Sequence, residues 1–427
     1  MNFYKSSFYS SMYTLINMIS GLIITKITAT MVGPSGTAYV GEFGNVVVIL
    51  SLLSTASIGT GIVKYVSEYK NKPNELKKLI QTAFGLILMF SIPISLLILF
   101  SSKFLTVWTF GNLDFRIVFI LLGFLLISIS MYQLFVGMLS GFQEVKFLAA
   151  VNIVASVINL VITIILLYQY KVIGALISNI IFNSLSTVFS LVALRKLGYL
   201  KKEFLQCKID WIVAKQLMKF GAYGAVTTLS LMTTLLIVRN FLESKFGLES
   251  AGIWQGMYSL SDRYLSFIMA ILNVYYLPRL SEIVEPKELI REVRKGFKRI
   301  MPLVIVISFT IYFCRDLIIK ILLAKSFTPM RDLFAFQMIG DVFKVAAALF
   351  GYLVFARAMI LTGLKAELCF HLIYLLSSLI FVQYYGLPGI SYGFAFSTFI
   401  LFCIYVYFFR DLIIQMKKSV LPKPWFK

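Results

Sequence analysis

Apolar stretches of about 20 residues, the length that crosses a hydrocarbon layer of roughly 30 Å at 1.5 Å per residue, recur twelve times along this chain. They fall near residues 8–32, 39–66, 79–101, 115–139, 148–169, 172–194, 217–242, 250–277, 300–323, 333–356, 367–385 and 388–409. Short polar or basic segments separate them, none large enough for a soluble domain. The pattern predicts twelve transmembrane helices. It is least distinct at 315–326, where apolar and basic residues mix.

The two halves of this pattern repeat each other. Lys5 and Lys219, Tyr9 and Tyr223, Thr14 and Thr228, Leu22 and Leu236, and Gly33 and Gly247 all stand 214 residues apart, as do Ser67-Glu68 and Ser281-Glu282. Arg116 and Arg331, Tyr170 and Tyr385, and Gly174 and Gly389 are offset by 215, a slip that one loop residue explains. Six spans per half is an even number, so the second half enters the membrane from the same side as the first. The expected fold class is an all-α polytopic membrane protein of two six-helix bundles, residues 1–200 and 217–427, related by a pseudo-two-fold axis along the membrane normal. Residues 201–216 form the linker between them. There Phe204, Leu205, Ile209, Trp211 and Ile212 interleave with Lys201, Lys202, Lys208 and Lys215, a composition that suits an interfacial helix.

Composition agrees with a bilayer environment: 59% of residues are hydrophobic, 14% are charged, and the mean hydropathy is +0.87. The net charge of +21 raises nucleic acid as a partner, and its distribution excludes it. The densest basic runs, at 70–78, 195–215 and 279–299, all lie on the side of the N-terminus. That is the positive-inside pattern, which puts both termini in the cytoplasm and leaves anionic inner-leaflet lipids as the charge partners. Gly33-Pro34-Ser35-Gly36 lacks the lysine of a phosphate-binding loop, so no nucleotide chemistry is expected. Cys207, Cys314, Cys369 and Cys403 form no Cys-x-x-Cys pair, and neither a metal, a disulfide nor a cofactor is inferred. No acid pair or Ser/His/Asp set points to catalysis.

Ionisable residues at membrane depth carry the functional signal, because each costs about 2.5–3.5 kcal/mol if it faces lipid. Lys26, Glu42, Arg239, Asp262, Arg263, Asp341 and Lys344 qualify, with Lys64 nearer the cytoplasmic end of its span. Lys26 and Arg239 occupy nearly equivalent repeat positions, which would aim both at a shared hydrophilic cavity; both also lie near helix ends, where snorkelling to water is open to them. Lys26, Arg239, Arg263 and Lys344 are the candidate cations for an anionic substrate. Glu42, Asp262 and Asp341 are the candidates for ion coupling or charge balance. Asp341 and Lys344 are one turn apart and are expected to pair. His371, among Phe370, Leu372 and Tyr374, reads as a packing histidine, with a proton relay as its alternative role.

Gly33-Pro34-Ser35-Gly36, Gly59-x-Gly61, Lys64-Tyr65-Val66-Ser67-Glu68-Tyr69, Ala251-Gly252-Ile253-Trp254-Gln255 and Tyr276-Leu277-Pro278-Arg279-Leu280-Ser281 resemble bacterial O-antigen flippases. Those belong to the multidrug, oligosaccharidyl-lipid and polysaccharide exporter superfamily, and the lipid III flippases of enterobacterial common antigen are similar over the same segments. The resemblance implies a MATE-like, V-shaped pair of bundles in the bacterial inner membrane. Through alternating access they would move an undecaprenyl-pyrophosphate-linked oligosaccharide, the O-antigen repeat unit, to the periplasmic leaflet. It implies a monomer that hands its product to an O-antigen polymerase and a chain-length regulator. It transfers no ligand residue, since cavity charges vary within the family. A multidrug or cation antiporter of the same fold, a different twelve-helix carrier and a membrane-embedded glycosyl enzyme are the other readings. Cations at Lys26 and Arg239 weigh against the first, and the sparse acids of the outer loops against the last.

Overall fold

The computed structural model describes residues 3–283, 285–357 and 359–410. Among the described residues the regular structure is helical, with no strand. The chain forms two compact units that divide between Met232 and Thr233, with Gly33–Ser35 grouped with the second. The first contains α1 (Phe3–Ser54), α2 (Gly59–Tyr69), α3 (Pro73–Phe100), α4 (Ser102–Phe110), α5 (Arg116–Gly141) and α6 (Val145–Lys196). The division falls inside α7 (Trp211–Phe246). The second unit continues with α8 (Leu248–Ile271), α9 (Leu277–Glu282), α10 (Pro286–Phe313), α11 (Arg315–Leu322), α12 (Phe334–Ala356), α13 (Ile360–Tyr385) and α14 (Gly389–Phe408).

Nine helices among the described residues are long and apolar enough to cross a membrane. Two of them hold two crossings each. Met12–Ser54 breaks at Gly33 (φ 66°, ψ −169°), directly before Pro34, and Val145–Lys196 breaks at Lys171 (φ 48°, ψ −123°). The eighth predicted span is α8, 24 residues long, which Glu249, Asp262 and Arg263 make too polar to join the nine. The ninth is displaced: α10 starts at Pro286 and stops at Phe313. Residues 315–323, expected to complete it, instead form the short α11, where Arg315, Asp316 and Lys320 make one side polar. Asp316 there meets Arg331 at 3.3 Å.

Backbone geometry reproduces the repeat. Gly33 and Gly247, 214 apart, both hold positive φ with extended ψ (Gly247 φ 82°, ψ 166°), so each half turns from its first helix into its second through the same left-handed break. The second break repeats at an offset of 215, at Lys171 and Gly386 (φ 67°). Three residues further on, Gly174 and Gly389 let two helices meet backbone to backbone. A Cβ at Gly174 would lie 2.0 Å from the Leu166 carbonyl oxygen, and one at Gly389 would lie 2.2 Å from that of Phe381, the equivalent residue. Gly174→Ala and Gly389→Ala are therefore expected to destabilise the protein by about 1–3 kcal/mol each. Gly44→Ala, where a Cβ meets nothing within 4 Å, serves as the control. Equal melting temperatures for all three variants in detergent would remove this account of the hairpins.

The core of the first unit gathers Ile58, Ile62 and Val66 with Leu79, Ala83 and Leu86 of α3 and Leu134 and Met138 of α5. The linker is strapped onto it. Residues 201–210 are not the interfacial helix that their composition suggested; they form one 3₁₀ turn (Lys202–Leu205) and an extended run. The reason is that α3 satisfies their backbone in place of a helix. Gln81 donates to the Glu203 carbonyl at 2.7 Å, and the Asp210 amide donates to Thr82 Oγ1 at 3.1 Å. Ile209 fills the space beside Gly85, and Phe204 is buried. Lys77 meets Glu203 at 2.5 Å, and its hydrogen bond and charge hold the Glu203 carboxyl below the usual carboxylate range. Asp210 Oδ1 then accepts from the Ile212 and Val213 amides, which starts α7. Trp211 and Ile212 remain exposed on its first turn.

Candidate functional site

Five of the seven candidate site residues lie in the second unit, on α7, α8 and α12. Lys26 and Glu42 lie in the first, on the two limbs of α1, Lys26 half-buried and Glu42 buried. Phe43, next to Glu42, packs edge-on to Phe119.

Arg239 is 1% exposed, although it sits on a membrane helix. Burying a guanidinium is tolerable only where its charge is met. Here one nitrogen donates to Gln255 Oε1, and the plane lies 5.7 Å from the Trp254 ring. Gln255 passes the chain on, its Nε2 donating to Ser259 Oγ at 3.1 Å. One turn along α8, Tyr258 lies within electrostatic reach of both Arg239 and Asp262. The Trp254-Gln255 pair, noted in the sequence only for its resemblance, is thus what accommodates Arg239.

Asp341 is fully buried and does not form an ion pair with Lys344. Its carboxylate is occupied otherwise: Ser261 Oγ lies 2.7 Å from both oxygens, the Tyr264 hydroxyl donates to Oδ2, and Gln337 Nε2 lies 3.4 Å from Oδ1. Gln337 also donates to Ser261 at 3.2 Å. These neutral donors across α8 and α12 out-compete Lys344 because they lie in the packed interface, while the lysine, one turn on, leans over Phe394 at 5.9 Å. His371 is buried, with Nε2 3.8 Å from Glu367.

Between these clusters, Asp262 is exposed and Arg263 half-buried. Arg263 Nε is buried with no hydrogen-bond partner, a donor held out of water and unsatisfied. The second unit therefore contains three polar groupings, Arg239 with Gln255 and Ser259, Asp341 with Ser261, Tyr264 and Gln337, and His371 with Glu367, while Asp262 and Arg263 stand on α8 next to Ser261. Sequence reasoning missed Gln255, Ser261, Tyr264, Gln337 and Glu367. Spacing held the signal, since Gln337 precedes Asp341 by four and Glu367 precedes His371 by four, one helical turn in each case.

Comparison with known proteins gives consistent matches. The model of the family described as "Polysaccharide biosynthesis protein" matches residues 3–284. The lipid III flippase of Escherichia coli (strain K12) is 33% identical over 371 residues, 86% of this chain and 88% of that one. The lipid III flippase of Shigella flexneri gives the same figures. Among solved structures, the inward-facing conformation of a multidrug resistance MATE family transporter of the MOP superfamily matches with a TM-score of 0.76 at 14% identity, covering 96% of both chains. At that identity the likeness is one of fold, and the fold is MATE-like.

Proposed function

Since this chain belongs to the polysaccharide biosynthesis protein family, we propose that it is a flippase. Its substrate is an undecaprenyl-pyrophosphate-linked oligosaccharide, moved by alternating access from the cytoplasmic to the periplasmic leaflet of the bacterial inner membrane. The near-full-length similarity to lipid III flippases is the observation that carries this reading. It favours the lipid III of enterobacterial common antigen as cargo as much as an O-antigen repeat unit. Both share a diphosphate, polar sugars and a polyprenyl tail.

These polar groupings support the same chemistry. A sugar hydroxyl taken into hydrocarbon without a partner costs on the order of 2–7 kcal/mol, so passage requires polar groups at membrane depth. In this proposal Lys26, Arg239, Arg263 and Lys344 meet the diphosphate, with Arg263 first among them because it is only half-buried while Arg239 is closed off and engaged by Gln255. Asp262 balances Arg263 before substrate arrives. The halves at 1–200 and 217–427 act as the two moving bodies, both termini stay in the cytoplasm, and a polymerase with its chain-length regulator consumes the product. The chain acts as a monomer and as a carrier, with no chemical step.

Arg263→Ala is expected to lower flipping of a fluorescent lipid-linked oligosaccharide in proteoliposomes at least tenfold with the melting temperature retained. Arg263→Lys should keep part of the rate, because a point cation still meets phosphate without the guanidinium fork. Unchanged flipping in the Ala variant would take Arg263 out of the site. Comparing O-antigen and lipid III substrates in the same vesicles decides between the two cargoes.

A further inference from the structure

The first limb of α6 carries a row of uncharged polar side chains turned away from its exposed apolar side. Asn152, Ser156, Asn159 and Thr163 are spaced four, three and four residues apart, which places them on one face. The exposed apolar residues of the same limb, Val154, Val157, Val161 and Ile165, fall on the opposite side at 3.6 residues per turn. α1 has a counterpart. Asn17 is exposed, yet it lies two residues from both Leu15 and Ile19, which with Met12 and Ile23 make the exposed apolar side of that helix, so its amide points away from them. An amide exposed at membrane depth but off the apolar side is placed to meet polar groups.

These groups hold one another in place. Ser156 Oγ donates to Asn17 Oδ1 at 3.3 Å, and the Tyr132 hydroxyl of α5 donates to Asn152 Oδ1 at 3.0 Å. Asn152 Nδ2 is tied to the Leu148 carbonyl at 2.9 Å, and the Asn17 amide also bonds the Tyr13 hydroxyl. Thr163 donates to Asn159 Oδ1 at 3.3 Å, and among the described residues nothing accepts from Asn159 Nδ2. Asn152 and Ser156 are buried, whereas Tyr13, Tyr132 and Asn159 are only half-buried. The result is a patch of amides and phenols that can both donate and accept, none of them charged at neutral pH.

The repeat shows that helix packing does not require them. At the offset of 215, Asn152 corresponds to Glu367, Ser156 to His371 and Tyr132 to Ala347, and at the offset of 214, Asn17 corresponds to Leu231. The equivalent helices of the second unit thus carry alanine and leucine where the first unit has a phenol and an amide. Where the second unit keeps this face polar, it uses an acid and an imidazole, 3.8 Å apart. The same face is chargeable in one unit and neutral in the other. A patch without a cation offers little to a phosphate. Its amides and phenols match hydroxyl and acetamido groups, which likewise donate and accept, and the phenol rings add apolar faces for the carbon side of a pyranose ring.

We propose that this face of α1, α5 and α6 is the sugar-binding site of the carrier. Neutral sugar residues of the cargo hydrogen-bond to Tyr13, Asn17, Tyr132 and Asn159, while Asn152 and Ser156 are positioning residues that aim Tyr132 and Asn17. The proposal rests on the flippase reading above and adds which part of the chain recognises the sugar.

The test uses the full chain in phosphatidylcholine nanodiscs with two probes, undecaprenyl diphosphate carrying one N-acetylglucosamine and the same lipid without sugar. With a diazirine on the N-acyl group of the sugar, labelling should map to α1, α5 and residues 145–170 of α6. Asn17→Leu with Asn159→Leu should weaken binding of the sugar-bearing lipid at least tenfold and leave binding of the bare lipid unchanged, with the melting temperature retained. Labelling confined to residues 233–410, an equal loss for both lipids, or no loss for either would overturn the proposal. The labelling map needs no variant, so it decides the matter even if the double Leu variant does not fold. Flipping assays separate the two readings. If wild type flips a lipid-linked oligosaccharide and the double Leu variant does so equally fast at limiting substrate, the sugar site fails and the flippase reading stands. If wild type flips none, the flippase reading fails, and the labelling map with the two binding curves still decides the sugar site.

Discussion

Asp341→Asn is expected to leave the protein folded while abolishing any response of transport to an imposed proton or sodium gradient, and Asp341→Ala is expected to destabilise it by about 3–5 kcal/mol. The difference follows from the partners. Asp341 accepts from Ser261, Tyr264 and Gln337 in a fully buried cluster. Truncation leaves those donors without an acceptor, at about 1–3 kcal/mol for each one left unsatisfied. An amide keeps one acceptor oxygen for Tyr264, and the Ser261 hydroxyl is free to rotate and accept from the new NH₂. What the amide cannot do is gain and lose a charge. We propose that Asp341 couples transport to an ion, so the Asn variant should flip substrate at one rate with and without a gradient in proteoliposomes. Should it retain the wild-type gradient response, Asp341 is a structural acid, and Glu42 or Asp262 takes its place as the coupling candidate. The Ala variant reports stability alone and is read from its melting temperature.

What could be read from the sequence, and what could not, divides by physical origin. The all-helical membrane fold and the repeat were legible because hydropathy over about 20 residues and glycines in constant register record the bilayer and the tight hairpins directly. Gly33 with Gly247, and Gly174 with Gly389, were matched by offset and share their backbone roles. The linker was misread because its composition reports amphipathicity but not the donors on α3 that hold it extended. The Asp341–Lys344 pairing failed for a related reason. Spacing on one helix shows which side chains are within reach, whereas the outcome depended on Ser261 and Tyr264 from α8, which one-dimensional spacing does not bring to Asp341. The burial of Arg239 was likewise invisible until Gln255 and Trp254 were seen against it.

Flipping is expected to accelerate when the membrane potential is negative on the cytoplasmic side. Outward movement of one uncompensated negative charge is favoured by about 2.3 kcal/mol per 100 mV, so a doubly charged diphosphate gains roughly 4–5 kcal/mol. At equilibrium that is a bias on the order of 10³-fold between leaflets. Protein cations such as Arg263 and Lys344 do not cancel it. If they move outward with the substrate they must move back when the carrier returns empty, so over a full cycle only the substrate and any exchanged ion carry net charge. They do choose which half-cycle senses the field: neutralised by cations, the loaded carrier crosses without a voltage dependence, and the empty, positively charged carrier is drawn back inward. An inward proton or sodium ion through Asp341 would add one more favourable charge. Proteoliposomes carrying a lipid-linked oligosaccharide, with a potassium diffusion potential imposed, reversed or collapsed, measure this directly. Wild type should be fastest when the cytoplasmic-facing side is negative. Arg263→Ala, with less charge to return, should shift part of the voltage dependence onto the loaded step and so raise its sensitivity at saturating substrate. Identical rates under all three potentials would leave facilitated diffusion, with the reaction that consumes the product on the far side supplying the direction.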